Sequence, residues 1–238
     1  MNLHYSHMPV WTIVLFIPVF LYCIYYLSRP VKQAALDAGL TPQKAQNIQT
    51  GIVLFYFLYL AYASTLALLG AMDLNALPPR AMLYAGIPLA IFLFAFVGSR
   101  KLYKKLLQAI SLEALVRLHI FRLAGAFFIL MYAYHTLPAR FAFFAGLGDM
   151  ITAVFAFPVA RMVRTQQHGW KIALRVWNLF GIMDIVDLLT VAVLTGADGN
   201  LREMAVFPYV WFPAFAPATI LFLHAAVYRK LGLRSAIN

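Results

Sequence analysis

Ionisable and amide side chains interrupt the apolar second half of this sequence: His119, Arg122 and His135, then Asp149, then Asn178, Asp184 and Asp187, and finally His224. A charged group at the centre of a bilayer costs about 2.5–3.5 kcal/mol on insertion scales, so such groups face a cavity or one another. The chemistry open to them is ion pairing and proton or cation exchange. Asp184 and Asp149 are the candidate proton or cation sites, Arg122 their counter-charge, and His119, Asn178 and His224 further polar lining. The competing use is plain hydrogen bonding between helices, which would only hold the bundle together.

Cofactor chemistry is more constrained. His119 and His224 fall at one depth on different helices, an arrangement that permits a bis-histidine haem. No HExxH or other compact ligand motif points to zinc. A retinal Schiff base needs a lysine inside the membrane, and the last four apolar stretches hold none in their hydrocarbon zone. Cys23 is the only cysteine, so neither an intrachain disulfide nor a cysteine metal cluster can form.

These side chains must be carried by membrane-spanning helices. Hydrophobic residues make up 63% of the chain and charged ones 11%, against roughly 45–50% and 25% in soluble domains. The apolar residues come in blocks of about twenty, the length at which a helix crosses the hydrocarbon. Seven spans are expected, at about 8–28, 49–70, 81–99, 116–137, 143–160, 175–196 and 207–228, forming a single all-α transmembrane domain over residues 1–238. Helix rise places His119, Asn178 and His224 about 4–6 Å from one boundary, Arg122 at about 9 Å, Asp184 at about 14 Å, and Asp149 and Asp187 at about 17–18 Å. That predicts two polar layers, one of His, Arg and Asn and one of carboxylates. Pro213, Pro217 and His224 share a stripe on the last span, where the prolines would free the carbonyls of Tyr209 and Pro213.

The net charge of +11 would suggest nucleic acid in a soluble protein, but here it is concentrated in alternate loops. Arg29, Lys32 and Lys44 lie in the first, Arg100, Lys101, Lys104 and Lys105 in the third, Arg161, Arg164, Lys171 and Arg175 in the fifth, and Arg229, Lys230 and Arg234 in the tail. The opposite loops carry only Arg80, Arg140 and Arg202. The positive-inside rule then puts the C-terminus in the cytoplasm and the N-terminus outside a plasma (inner) membrane. Met1–His7 has no Lys or Arg and no A-x-A site precedes Arg29, so the first span is expected to be retained. Thr41-Pro42 reads as an N-cap followed by a first-turn proline that starts a helical lead into span 2. Tyr22, Tyr25 and Tyr26 suit an interfacial aromatic belt.

Three weak internal matches suggest a 3+1+3 plan. Val14 to Val19 resembles Val154 to Val159. Thr65 to Leu69, followed by Asp73 and Asn75, resembles Thr190 to Leu194, followed by Asp198 and Asn200. Pro88, Ile91 and Arg100-Lys101-Leu102 recur as Pro217, Ile220 and Arg229-Lys230-Leu231. In architecture alone this resembles the SWEET and PQ-loop transporters; no sugar-binding residue carries over.

A further set of residues spans the last four helices: Leu118-His119 with Arg122; Leu137, Pro138, Phe141 and Ala142; Gly146, Gly148 and Asp149; Pro158, Val159 and Ala160; Trp177 and Asn178 with Gly181 and Asp184; and the prolines leading to His224. With Leu77-Pro78-Pro79-Arg80, this pattern resembles a family of uncharacterised bacterial seven-helix membrane proteins with no assigned activity. Asp187 and His135 are less typical of it. The reading that follows is a transporter-like protein handling protons, ions or a small polar solute through Asp149, Asp184, Arg122, His119, Asn178 and His224. A haem-binding redox protein and a non-catalytic membrane sensor or scaffold are the alternatives.

Overall fold

The computed structural model describes residues 6–72, 79–196 and 201–235, and among these it is all helix and loop. Among the described residues six helices are long and apolar enough to cross a membrane, and a bent pair supplies a seventh if counted as one span. By helix length and composition the chain is an integral membrane protein. Asp73, Asn75, Leu77, Pro78, Asp198 and Asn200, named in the sequence matches above, lie outside the described residues.

Helix α1 runs from Val10 to Asp37 and α2 from Pro42 to Leu68. At 1.5 Å per residue α1 is about 42 Å long, so Arg29 and Lys32, expected in a loop, instead ride on its last turns. Gly39 turns the chain at φ +77°, a region that favours glycine. Thr41 then caps α2 by accepting a hydrogen bond from the Lys44 amide at 3.3 Å, with Pro42 in the first turn, as its sequence predicts. Lys32 Nζ donates to Gln46 Oε1 across the hairpin at 2.6 Å. Tyr22 and Tyr25 are exposed, whereas Tyr26 donates to the Arg117 carbonyl at 2.8 Å and so ties α1 to the helix that carries Arg117.

Helix α3, Met82–Val97, is an α-helical turn at Ile87–Ile91 between two widened, π-type stretches. It then bends by 84° into α4, Lys101–Ala109. A Cβ on Gly98 would come within 2.6 Å of the Phe94 carbonyl, so the corner requires glycine. The corresponding Arg229-Lys230-Leu231 falls inside a continuous helix, so the two segments matched at equal spacing adopt different shapes.

Helix α5 covers Leu112–Ala133, α6 Ala139–Thr165, α7 Trp170–Gly196 and α8 Trp211–Ser235. Ser111 caps α5 through the Ala114 amide at 3.0 Å. Helices α5 and α8 are the most buried spans. Pro213 stands in the first turn of α8, where a missing N–H costs nothing, and the Tyr209 carbonyl accepts from the Phe212 amide at 3.0 Å; the expectation that Pro213 leaves Tyr209 free is therefore incorrect. Pro217 does lie inside the helix, and Gly86 of α3 packs close to the Pro213 carbonyl. Toward the N-terminal end of α1, Phe16 packs on Phe20, Phe127, Tyr209, Trp211 and Phe212 with centroid distances of 4.8–5.8 Å, an aromatic plug between α1, α5 and α8.

Candidate functional site

The middle of α5 is wound more tightly than an α-helix, as a 3-10 stretch from His119 to Gly125. Three residues per turn bring His119, Arg122 and Gly125 onto one edge. That edge faces α6, α7 and α8. Arg122 is 1% exposed, and its Nε donates to Asp149 Oδ1 on α6 at 2.6 Å. One terminal nitrogen pairs with Asp184 Oδ2 on α7. The other lies 3.2 Å from His224 Nε2 on α8 and 3.4 Å from the Gly181 carbonyl. A guanidinium has only donors, so His224 Nε2 accepts and the ring proton sits on Nδ1. From there it is donated to Asn178 Oδ1 at 2.7 Å, and Asn178 Nδ2 returns a bond to the His224 carbonyl at 3.2 Å. This assignment leaves His224 neutral.

His119, fully buried, completes the cluster. Its ring lies 4.0 Å from that of His224 and meets Trp177 edge-on at 5.0 Å, yet among the described residues neither ring nitrogen has a hydrogen-bond partner. Trp177 Nε1 donates to the Thr152 carbonyl at 2.9 Å, and Thr152 Oγ1 donates to the Gly148 carbonyl at 2.9 Å, stitching α7 to α6.

Three glycines clear the space these side chains occupy. A Cβ on Gly125 would come within 2.6 Å of Asp149 Cβ, one on Gly148 would collide with the Asp184 carboxylate, and one on Gly181 would collide with the His224 imidazole. Gly146 lets α6 approach the Gly125 carbonyl, the small-residue packing by which membrane helices come close. The cluster is thus built by backbone as much as by side chain.

All six residues singled out by sequence therefore meet: His119, Arg122, Asp149, Asn178, Asp184 and His224. The expected separation into two layers is incorrect, because Arg122 reaches both carboxylates and His224 and joins the layers into one network. Asp187 is exposed and outside it. His135, at φ +56° beyond the end of α5, lines an open bowl with Arg202 and Glu203. Gly125, Thr152 and the indole N–H of Trp177 were not anticipated as site elements. The recurrence of His119, Arg122 and Gly125 at intervals of three was the available signal for the first.

Residues 77–231 match the model of a domain of unknown function, DUF8737. The chain belongs to that family. Every residue of the network lies within the DUF8737 segment, which starts at the Leu77 motif and takes in α3 to α8, while α1 and α2 precede it. No curated protein and no solved structure matches the chain.

The geometry of this DUF8737 site bears on cofactors. A haem would need its macrocycle between the two axial histidines, but the rings of His119 and His224 are already in van der Waals contact, and both nitrogens of His224 are engaged. The pair does not fit a bis-histidine haem, which corrects that expectation. Among the described residues no three His, Cys, Asp or Glu side chains gather to hold a metal ion. A crevice of about 50 Å³, otherwise apolar, reaches Asp149 from the direction of Leu201 and Met204. Counted as space open to the centre of a water-sized sphere, of which one water needs about 10–15 Å³, that is room for a few waters.

Proposed function

We propose that this DUF8737 protein carries protons, or a small monovalent cation, across the membrane, with Asp149 and Asp184 as the exchanging groups and Arg122 as their shared counter-charge. The observation that carries the reading is the contact of one arginine with two carboxylates from different helices. With both carboxylates ionised the buried cluster is one negative charge in excess. Among the described residues no second cation pairs with either, so one proton or one cation restores balance. Its arrival on Asp184 would loosen the Arg122 contact to α7, and its departure would restore it, which couples occupancy to the packing of α7 against α5 and α6.

Size favours the proton or bare ion over a larger solute, because the space beside Asp149 is about 50 Å³. The Lys/Arg distribution orients the carrier with α4 and the C-terminus in the cytoplasm.

The test is flux through purified protein in vesicles containing a trapped pH dye, with an imposed potassium diffusion potential. Protein-dependent acidification that Asp184→Asn removes, while the variant still folds, is expected. Flux equal to that of empty vesicles, with the pH dye and with a trapped sodium dye in parallel, or unchanged flux in Asp184→Asn, overturns the reading; the latter leaves the network a role in holding the bundle.

A further inference from the structure

A second space, of about 470 Å³ and half open to the surroundings, lies away from the polar cluster, between α1, α2, α3, α4, α5 and α8. Its volume is that of a ligand pocket, and its walls are overwhelmingly apolar, with Leu27, Ile52, Phe92 and Leu223 from four different helices. Helices α2 and α3 are bridged by side chains at its edge: Phe55 stacks on Phe92 at 4.7 Å, and Tyr59 donates to the Ala85 carbonyl at 2.5 Å. An apolar space of this kind suits hydrocarbon better than water.

One stretch of the wall has a different character. Helix α4 follows the 84° bend, with Leu102, Leu106 and Leu107 lining the cavity and Lys101, Lys104 and Lys105 exposed on its opposite face. Arg100 also lines it, its guanidinium 3.8 Å from the centroid of the Phe96 ring. Among the described residues none of these four cations has a carboxylate partner. Tyr103 lines the same space, and among the described residues its buried hydroxyl, beside Arg229, has no partner at hydrogen-bond distance. An apolar chamber with an arginine in its wall and a hydroxyl beside it matches one class of molecule: an amphiphile with a hydrocarbon tail and an anionic head.

We propose that the cavity takes an acyl chain of an anionic phospholipid from the surrounding bilayer, with the phosphate held by Arg100, the one charged residue that lines it among the described residues. Tyr103 supplies a hydrogen bond to the ester or phosphate oxygens. The site is independent of the carboxylate cluster, so it stands or falls apart from any transport activity.

The full-length protein, reconstituted in nanodiscs of equal phosphatidylglycerol and phosphatidylcholine, is extracted in mild detergent, and the lipid that stays bound is weighed by native mass spectrometry. Retained phosphatidylglycerol should exceed phosphatidylcholine about fivefold, what one basic residue contributes near anionic lipid. Arg100→Gln should level that ratio. Gly51 lines the cavity, and a Cβ there meets nothing within 4 Å, so Gly51→Trp should fill the space and expel most of the lipid; Leu106→Trp fills it from α4 and serves if the first variant misfolds. Equal retention of the two lipids by the unaltered protein overturns the assignment. So does phosphatidylglycerol retention unchanged by either tryptophan in a folded variant, because the lipid would then bind elsewhere.

Discussion

Replacing Arg122 by methionine keeps a long flexible side chain and removes the one positive charge in the cluster. Asp149 and Asp184 would be left facing each other across α6 and α7, with the Arg122 contacts to His224 and the Gly181 carbonyl gone as well. Stripping one partner from a buried ion pair costs about 3–5 kcal/mol, mostly because a charge is left uncompensated. Asp149→Asn alone is milder, since Arg122 keeps Asp184, the asparagine oxygen still accepts and the excess negative charge is gone; a cost below about 1.5 kcal/mol is expected. Arg122→Met combined with Asp149→Asn and Asp184→Asn removes every uncompensated charge, so the triple variant should be more stable than Arg122→Met alone by a coupling of about 1–3 kcal/mol. Unfolding by SDS titration in mixed micelles, followed by circular dichroism, measures all three. A triple variant no more stable than Arg122→Met, or an Arg122→Met cost below about 1 kcal/mol, would refute the shared counter-charge.

Gly148→Ala places a methyl group against the Asp184 carboxylate; overpacking should cost about 1–3 kcal/mol and pull Asp184 from Arg122, so both SDS resistance and proton flux should fall. Gly51→Ala, where a Cβ meets nothing, should instead stabilise α2 by up to about 1 kcal/mol in the same titration. His119→Phe keeps a flat ring beside His224 and removes two unsatisfied nitrogens, so SDS resistance should rise by about 1–3 kcal/mol. Thr41→Ala removes the cap of α2 and should cost about 0.5–1 kcal/mol, with flux unchanged.

Much of the scaffold was legible because apolar length and turn chemistry are local properties. Thr41-Pro42 marks the start of α2 wherever α2 packs, and runs of about twenty apolar residues dictate spans whatever their neighbours. The choice of His119, Arg122, Asp149, Asn178, Asp184 and His224 also followed from a local argument, the cost of polar groups at membrane depth. Their meeting in one cluster did not. Depth counted along ideal α-helices separated Arg122 from Asp149, but the 3-10 stretch climbs about 2.0 Å per residue rather than 1.5 Å, and a long guanidinium spans the remainder. Gly125, Gly148 and Gly181 were readable as small residues, but what each makes room for is set by a different helix. Gly98 shows the same limit: nothing in its neighbours announces an 84° corner. Two histidines at one depth leave haem open in the sequence, and the 4.0 Å ring separation rules on whether a macrocycle fits between them.

The most direct test of the central claim compares two conservative substitutions three residues apart on α7. Asp184 touches Arg122, whereas Asp187 is exposed and outside the hydrogen-bonded cluster. Proton flux under an imposed potential should be lost in Asp184→Asn and retained in Asp187→Asn, with both variants folded. Equal flux in the two would contradict the account.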